Sequence, residues 1–369
     1  RHSSSAASDV YKRQHCISAW GHDFRPDYRR LGLIRRLCPG VPMLALSATA
    51  APRVRADIIR LLALRSPLVQ VSSARRDNLH YAMQRRPRDP MPQVLEALAL
   101  SQGASLIYAR TRRSVERWAE RLQEQDVDAT PYHAGLDPET RQLALKRFLE
   151  QKRPVLVATV AFGMGVDRGD VRLVLHLDLP ATPEGYLQES GRAGRDGLSA
   201  HCLVLFSPGD RTSLGWAMQA SARKKGANDD QRRLDLAQQQ LRRMEAVAEG
   251  EICREQALLL AVGELVEPCG RCDRCSGTAK RRDWSTQAET LLSHLQDLDG
   301  TDMRRLGEHL SLNESGRGDR WTWLARRLVQ EELISESNDG VQRLYLRDSG
   351  RRFLDCLLYT SPSPRDRVQ

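Results

Sequence analysis

The stretch LIYARTRRSVERWAERLQEQ, residues 106–125, places a short apolar run directly before an amphipathic helical pattern. Residues 106–108 predict a buried strand and residues 113–125 predict a helix. The alternation continues, with strands predicted at 129–132, 155–159, 171–177 and 202–206 and a helix at 138–149. Strands alternating with helices of about 10–15 residues are typical of a parallel sheet with helices on both faces. Residues 101–208 are therefore predicted to form one α/β domain.

The length and charge of the chain narrow the class of protein. It has 369 residues, 57 Lys and Arg against 47 Asp and Glu, and a net charge of +10. At about 150 residues per domain, two or three domains are expected, and the excess of positive charge favours an anionic partner, nucleic acid first. The sequence has neither an apolar run of about 18 residues nor a secretory signal pattern. We expect a soluble, cytoplasmic protein.

Two further regions flank the predicted α/β domain. Before it, residues 43–46 predict a strand, and Pro52 opens an amphipathic helix. After it come a polar helical stretch at 229–248, a cysteine cluster and a charged linker at 280–283. Helices predicted at 286–298, 303–310 and 319–331, then short strands at 333–335 and 343–346, are the outline of a winged helix.

The segment QESGRAGRDG, residues 188–197, indicates a phosphate site. Arg192 and Arg195 are three residues apart and would share one face of a helix, so both guanidinium groups could reach one phosphate chain. The neighbouring glycines permit close approach of the backbone. A helix with a merely basic surface is the alternative, but Gln188 and the interleaved glycines favour the phosphate site.

The segment TVAFGMGVD, residues 159–167, follows a predicted strand. Ligands of open α/β sheets bind outside the carboxyl ends of strands. Backbone amides around Gly163 and Gly165 could contact phosphate or sugar, and Asp167 could accept a ribose hydroxyl. Gly-x-Gly alone is an unspecific signal, and its place after a buried strand strengthens it.

Two segments near the start allow functional and structural interpretations. Residues 47–49, Ser-Ala-Thr, follow an apolar run and could equally be a helix N-cap. Residues 15–28, HCISAWGHDFRPDY, combine aromatic residues with a cation, which suits base stacking. The alternative is a loop packed onto the core.

Four of the eight cysteines, Cys253, Cys269, Cys272 and Cys275, lie close together in sequence. Clustered cysteines in a cytoplasmic protein favour a metal over disulfides, and four thiolates can close a tetrahedral zinc shell. An iron–sulfur cluster is the alternative, because Cys-x2-Cys-x2-Cys also occurs in ferredoxins. Cys16, Cys38, Cys202 and Cys356 are taken as core or incidental.

These segments, in this order, resemble the RecQ family of superfamily-2 DNA helicases from His15 to about Leu354. The resemblance implies a RecA-like lobe, a helical module with one structural Zn²⁺, and a winged helix. It also implies ATP with Mg²⁺ and 3′→5′ unwinding of DNA in repair and recombination. Arg76 and Asn78 resemble an Arg-x-Asn element at the entry to the second lobe, with Asp77 where the family usually has Pro.

The resemblance assigns a role to each candidate residue. It makes Arg195 the arginine finger, with Arg192 and Gln188 assisting at the phosphates. The residues implied for ATP binding and coupling are His15, Ser47, Thr49, Gly163, Gly165 and Asp167. Those implied for DNA binding are Trp20, Phe24, Arg25, Arg110, Thr111 and Thr159. The implied zinc ligands are the four clustered cysteines.

Two features that an active member of the family needs do not occur in the sequence. No Gly-Lys-Ser/Thr phosphate loop is present, and Arg13-Gln14 stand where the resemblance requires Asp-Glu. We therefore expect an internal fragment with foreign ends that lacks most of the first lobe and has no ATPase activity of its own. The expected parts are 1–14 (foreign), 15–75 (first-lobe remnant), 76–208 (second lobe), 209–282 (zinc module), 283–356 (winged helix) and 357–369 (foreign).

The expected partners are single-stranded and duplex DNA, with repair or single-strand-binding proteins and no membrane, in a bacterial cytoplasm at the nucleoid. One alternative is a noncatalytic DNA-binding protein built from a degenerate helicase lobe. Another, an RNA helicase of a related branch, is disfavoured by the four-cysteine module.

Overall fold

The computed structural model describes residues 32–38, 40–46, 52–160, 162, 167–225, 229–277, 284–298, 300–310, 318–337 and 342–360. The described residues fall into two compact units, one ending at Gly277 and the other beginning at Trp284. The domain boundaries predicted from the sequence stay predictions. Among the described residues, no helix is long and apolar enough to cross a membrane.

A six-stranded parallel sheet is the centre of the first unit. Its strands are β1 (Leu79–Arg85), β2 (Ala104–Tyr108), β3 (Ala129–Tyr132), β4 (Val155–Ala158), β5 (Val171–His176) and β6 (Ala200–Phe206). They lie in the order β1-β6-β5-β2-β4-β3, and every neighbouring pair is parallel. The predicted α/β fold is confirmed, and the sequence prediction missed only β1 among these strands.

Helices cover both faces of this sheet. They are α3 (Met91–Leu100), α4 (Arg112–Gln123), α5 (Pro138–Glu150), α6 (Pro183–Ser190), α7 (Pro208–Lys225), α8 (Asp229–Glu249), α9 (Arg254–Ala261) and the short α10 (Asp273–Ser276). One core lies between the sheet and α3 and α4, where Trp118 is buried. The other lies between the sheet and α5, α6, α8 and α9, with Phe148 and Met244 buried.

Residues 32–64 contribute two helices, α1 (Gly32–Leu37) and α2 (Pro52–Leu61). The helix predicted to begin at Pro52 is confirmed, whereas the strand predicted at residues 43–46 is wrong. Met43 and Ala45 pack against Ile58 and Leu62 of the α2 region, but residues 42–46 have no neighbouring strand among the described residues. A strand needs such a partner for its backbone hydrogen bonds.

The second unit has a small core of its own. Its elements are α11 (Ser285–Asp297), β7 (Thr301–Asp302), α12 (Met303–Leu310), α13 (Gly318–Gln330), β8 (Ile334–Glu336), β9 (Arg343–Leu346) and α14 (Asp348–Thr360). The three short strands pair antiparallel in the order β7-β9-β8. Trp321 and Trp323 pack against this core, and the Trp323 ring lies 5.1 Å from that of Trp284. The three helices α11 to α13 with this small antiparallel sheet fit the predicted winged helix.

Candidate functional site

Arg192 and Arg195 lie on a loop, not on a helix. Helix α6 ends at Ser190, and residues 191–197, here named the arginine loop, form successive turns. The prediction of one helical face for both arginines was therefore wrong. The glycines explain the change, since Gly191 caps the helix and Gly194 has a φ of +54°, which an L side chain rarely adopts. Gln188 remains on the last turn of α6.

Asp167 and Arg195 come together beside the start of β5, where the backbone amide of Gly194 donates to the carbonyl of Val171. Arg195 Nη1 lies 2.6 Å from Asp167 Oδ1, and the Asp167 side chain is 88% exposed. The sequence indicated these residues from two separate segments, and the fold makes them neighbours. Gly163 and Gly165, which precede Asp167 in sequence, lie outside the described residues, as do His15, Trp20, Phe24, Arg25, Ser47 and Thr49.

The arginine loop is supported from beneath by buried aromatic and polar groups. Tyr108 stacks on His176 with ring centroids 4.8 Å apart, and His176 Nε2 lies 2.7 Å from Glu189 Oε2. Burial raises the pKa of the Tyr108 phenol, and the nearby Arg192 cation opposes that shift. Within the described structure, the buried Nε of Arg192 has no hydrogen-bond acceptor. An unpaired buried donor is costly, so this N–H adds a local energetic cost to the arginine loop.

The loop is also tied to the sheet through Asp196. Its carboxylate pairs with the guanidinium of Arg172 on β5, with Nη1 to Oδ1 at 3.0 Å. The hydrogen bond from Arg172 holds the pKa of Asp196 below its usual value. This pair could not be recognised in the sequence, because its members are 24 residues apart and only Asp196 belongs to the segment 188–197.

The predicted DNA-binding residues in the described part lie near the carboxyl ends of β2 and β4. Arg110 Nη1 donates to Ser213 Oγ at 3.2 Å, and Arg110 Nη2 lies 3.6 Å from Asp178 Oδ1. Thr111 caps α4 by accepting a hydrogen bond from the backbone of Ser114. Thr159 is buried and follows β4. Their contact with DNA stays a prediction, and the fold gives Arg110 and Thr111 intramolecular partners.

A buried acidic residue, Asp210, was missed from the sequence. It accepts from Arg86 Nη2 at 2.6 Å and from the backbone amides of Leu179 and Ser207. Arg86 Nη1 also donates to Asp178 at 2.8 Å. These bonds connect the carboxyl ends of β1, β5 and β6, so the network orders the end of the sheet near which Arg110 lies.

The four clustered cysteines converge on one point. Their sulfur atoms all lie within 4.8 Å of one another, with 3.9 Å between Cys253 and Cys272 and 4.0 Å between Cys269 and Cys275. Thiolates at the corners of a tetrahedron with Zn–S bonds of about 2.3 Å are about 3.8 Å apart. A multi-iron cluster would hold its thiolates farther apart, so this spacing favours a single ion.

Backbone amides point at the sulfurs, as thiolate ligands require. Cys253 Sγ accepts from the amide of Cys269 at 3.2 Å, Cys269 Sγ from Cys272 at 3.3 Å, and Cys272 Sγ from Arg254 at 3.4 Å. Such donors stabilise the deprotonated form that binds metal. The residues therefore fit a structural zinc ion, which Cys253, Cys269, Cys272 and Cys275 would hold and which supplies structural cross-linking here.

A buried arginine next to the first ligand braces this centre. Arg254 is 1% exposed, and its Nη1 donates to the carbonyls of Ala248 at 3.0 Å and Gly250 at 3.1 Å. Its Nε donates to Asp273 Oδ1 at 2.9 Å, which links two residues that each follow a ligand. The sequence did not reveal this pair, although the position of each residue directly after a cysteine was a usable signal.

Two family models match consecutive parts of the chain. The helicase conserved C-terminal domain matches residues 90–197, and the RecQ zinc-binding domain matches residues 208–276. The first covers strands β2 to β5 and the arginine loop, and the second covers the helices and cysteines of the zinc centre. These matches favour zinc over iron and agree with the single-ion spacing of the sulfurs.

Curated relatives match most of the chain. The ATP-dependent DNA helicase RecQ of Pasteurella multocida is 39% identical over 76% of this chain and 43% of its own length. The protein of the same name from Haemophilus influenzae is 34% identical over 89% of this chain and 56% of its own length. That from Bacillus subtilis is 36% identical over 76% of this chain and 46% of its own length. The chain spans about half the length of these relatives.

Proposed function

Because the chain belongs to the RecQ family, we propose that it acts as part of an ATP-dependent DNA helicase. The observation that carries the proposal is the pairing of Asp167 with Arg195, which brings together the two segments predicted to bind ribose and phosphate. The four-cysteine zinc centre that follows it in sequence supports the RecQ type among helicases.

In this proposal the arginine loop contacts the phosphates of ATP, which binds together with Mg²⁺. Arg195 supplies a guanidinium that stabilises the charge developing on the γ-phosphate, and Arg192 assists at the same phosphate chain. Gln188 belongs to the same catalytic set as Arg192 and Arg195, and Asp167 accepts a hydrogen bond from a ribose hydroxyl. His15, Ser47, Thr49, Gly163 and Gly165 complete the ATP-binding and coupling set.

DNA is the proposed substrate, in single-stranded and duplex form. The net charge of +10 supports binding through phosphates, whose strength falls with salt and depends little on sequence. Trp20, Phe24, Arg25, Arg110, Thr111 and Thr159 are the proposed contacts to the tracked strand, and the winged helix grips the duplex. We further assign 3′→5′ polarity and a role in repair and recombination, with single-strand-binding or repair proteins as partners at a bacterial nucleoid.

The 369-residue chain alone is proposed not to hydrolyse ATP. Its sequence has no Gly-Lys-Ser/Thr loop to cradle the β- and γ-phosphates, and Arg13-Gln14 cannot replace an Asp-Glu pair as Mg²⁺ ligands. Zinc binding does not depend on these elements, so the chain alone retains its metal centre.

The test compares ATP hydrolysis, with and without single-stranded DNA, in two proteins. One is the 369-residue chain, and the other is a chimera in which residues 15–369 follow the corresponding leading segment of the Pasteurella multocida relative. We expect no turnover by the chain and DNA-stimulated turnover by the chimera. A chimera that folds, holds zinc and binds DNA without hydrolysing ATP would support a noncatalytic DNA-binding protein. Displacement of a strand from 3′-tailed but not 5′-tailed duplexes tests the polarity.

A further inference from the structure

Two side chains from the start of the second lobe grip the arginine loop between its two arginines. The carbonyl oxygen of Gly194 accepts from Arg76 Nη2 at 2.7 Å and from Asn78 Nδ2 at 2.8 Å. Asn78 Nδ2 also donates to the carbonyl of Leu198 at 2.8 Å. One amide group therefore closes the loop by bonding to both sides of its turn.

The side chain of Asn78 lies so close to Gly194 that no Cβ atom fits between them. A Cβ atom added at Gly194 would lie 2.5 Å from Asn78 Nδ2 and 2.7 Å from the carbonyl oxygen of Leu198. Together with the φ of +54°, this contact requires glycine at position 194. The loop and the Arg76–Asn78 segment are thus fitted to each other.

The same segment is fastened on its other side by the loop that carries three of the zinc ligands. Arg271, directly before Cys272, donates from Nη2 to the carbonyl of Arg76 at 2.9 Å and from Nε to that of Leu79 at 3.1 Å. Glu255 orients this guanidinium through Nη2 at 2.6 Å. Arg271 Nη1 lies 3.3 Å from Asp77, the residue that replaces the proline usual in the family resemblance.

A second bond fixes the register of this contact. Asp273, directly after Cys272, accepts from the backbone amide of Met83 at 3.0 Å. Strand β1 is an edge strand, so Arg271 and Asp273 satisfy backbone groups that β6 does not reach. Because both residues adjoin Cys272, a metal that fixes this cysteine also fixes how they meet β1.

We propose that Asn78, Arg76 and Arg271 are positioning residues for the arginine loop and that they couple the zinc centre to it. The effect of this coupling on catalysis rests on the proposed function, in which Arg192 and Arg195 contact phosphate. A guanidinium stabilises a transition state only when it is held in place beforehand, and small displacements cost much of the rate. The zinc centre thereby affects the arginine loop through the guanidinium of Arg271, the backbone of residues 76–79 and the side-chain amide of Asn78.

The test measures amide hydrogen exchange of residues 191–199 in the zinc-loaded chain. These amides are protected by bonds such as Gly194 N to the carbonyl of Val171 at 2.9 Å. Asn78→Asp preserves shape but removes both N–H donors, and Arg271→Met preserves the aliphatic stem but removes the guanidinium. We expect about tenfold faster exchange in residues 191–199 for Asn78→Asp and a smaller increase for Arg271→Met, with one zinc retained and strands β2 to β5 unchanged.

A matched control is available in α4. Gln123 Nε2 donates to the carbonyl of Ala129 at 2.7 Å, so Gln123→Glu makes the same chemical change away from the loop and should leave residues 191–199 unaffected. If residues 191–199 of Asn78→Asp exchange at the wild-type rate, the positioning role of Asn78 is contradicted, and packing alone holds the loop. Wild-type exchange in Arg271→Met would contradict the coupling to zinc. None of these measurements involves ATP, so a failure of the proposed helicase function would be seen separately in the chimera.

Discussion

Arg195 Nη1 lies 2.6 Å from Asp167 Oδ1, and this ion pair joins two segments that are 28 residues apart in sequence. Asp167 follows the strand β4 region and Arg195 lies in the arginine loop after α6. Both side chains are accessible, with Arg195 37% exposed. A phosphate group that approaches this ion pair would therefore contact the Arg195 guanidinium directly and compete with the Asp167 carboxylate for it.

The metal centre gives the first prediction. Purified chain should contain one zinc and no iron, since four thiolates converge at the spacing of a single tetrahedral ion. Cys272→Ser should lose most of the metal and lower the temperature of unfolding, because binding energy at such a site is folding energy. Metal analysis by mass spectrometry checks both.

Cys202→Ser provides the control for the cysteine substitution. Cys202 is fully buried but lies outside the cluster, so this variant should keep its full zinc content even if it is less stable. Iron with a visible charge-transfer band, or full zinc in Cys272→Ser, would contradict the assignment.

The second prediction compares two glycines of the arginine loop. Gly194 and Gly197 have φ values of +54° and +83°, so an alanine at either is strained by about 1–2 kcal/mol. Only at Gly194 would the new Cβ also collide with Asn78 and the Leu198 carbonyl, which adds about 1–3 kcal/mol. Urea unfolding should therefore show a larger loss for Gly194→Ala than for Gly197→Ala, and equal losses would show that the contact with Asn78 is not tight.

The third prediction concerns pH. Partial desolvation of His201, whose side chain stays exposed on one side of β6, together with the nearby His80 on the neighbouring strand, lowers the pKa of His201. The two ring centroids are 5.2 Å apart. A depressed folded pKa means that the unfolded chain binds the proton more readily. The stabilising contribution is therefore present above the unfolded pKa of about 6.5 and is lost as the pH falls below it.

His201→Gln should remove this part of the pH dependence. Between about pH 7.5 and 5.5, the urea midpoint of the wild-type chain should fall more than that of the variant, with both proteins zinc-loaded. Parallel midpoints for the two proteins across this interval would show that His201 titrates alike in the folded and unfolded chain.

Much of the sheet could be predicted because its strands are uniformly buried. The residues of β2, from Ala104 to Tyr108, are all buried, and apart from Ser105 they are apolar. Strand β1 escaped prediction because His80, Gln84 and Arg85 interrupt the pattern at the edge of the sheet. Edge strands tolerate polar residues, and local sequence does not reveal that Arg271 and Asp273, some 190 residues later, cover them.

The candidate site was predictable in composition but not in conformation. Arg192 and Arg195 were recognised by their spacing, yet Gly191 and the left-handed Gly194 turn a predicted helix into a loop. The zinc ligands were predictable because thiolates must converge, and their spacing in sequence allows it. Asn78 was recognised only as part of an entry element, because its bonds to Gly194 and Leu198 depend on tertiary contacts.

If Arg195 stabilises the charge on the γ-phosphate in a DNA helicase, its loss should abolish turnover without abolishing binding. The rate of DNA-stimulated ATP hydrolysis by the chimera carrying Arg195→Ala, with nucleotide binding measured beside it, tests this role. We expect a loss in kcat on the order of 1000-fold or more with nucleotide affinity largely retained. An unchanged kcat, or a loss of binding that accounts for the whole defect, would contradict it.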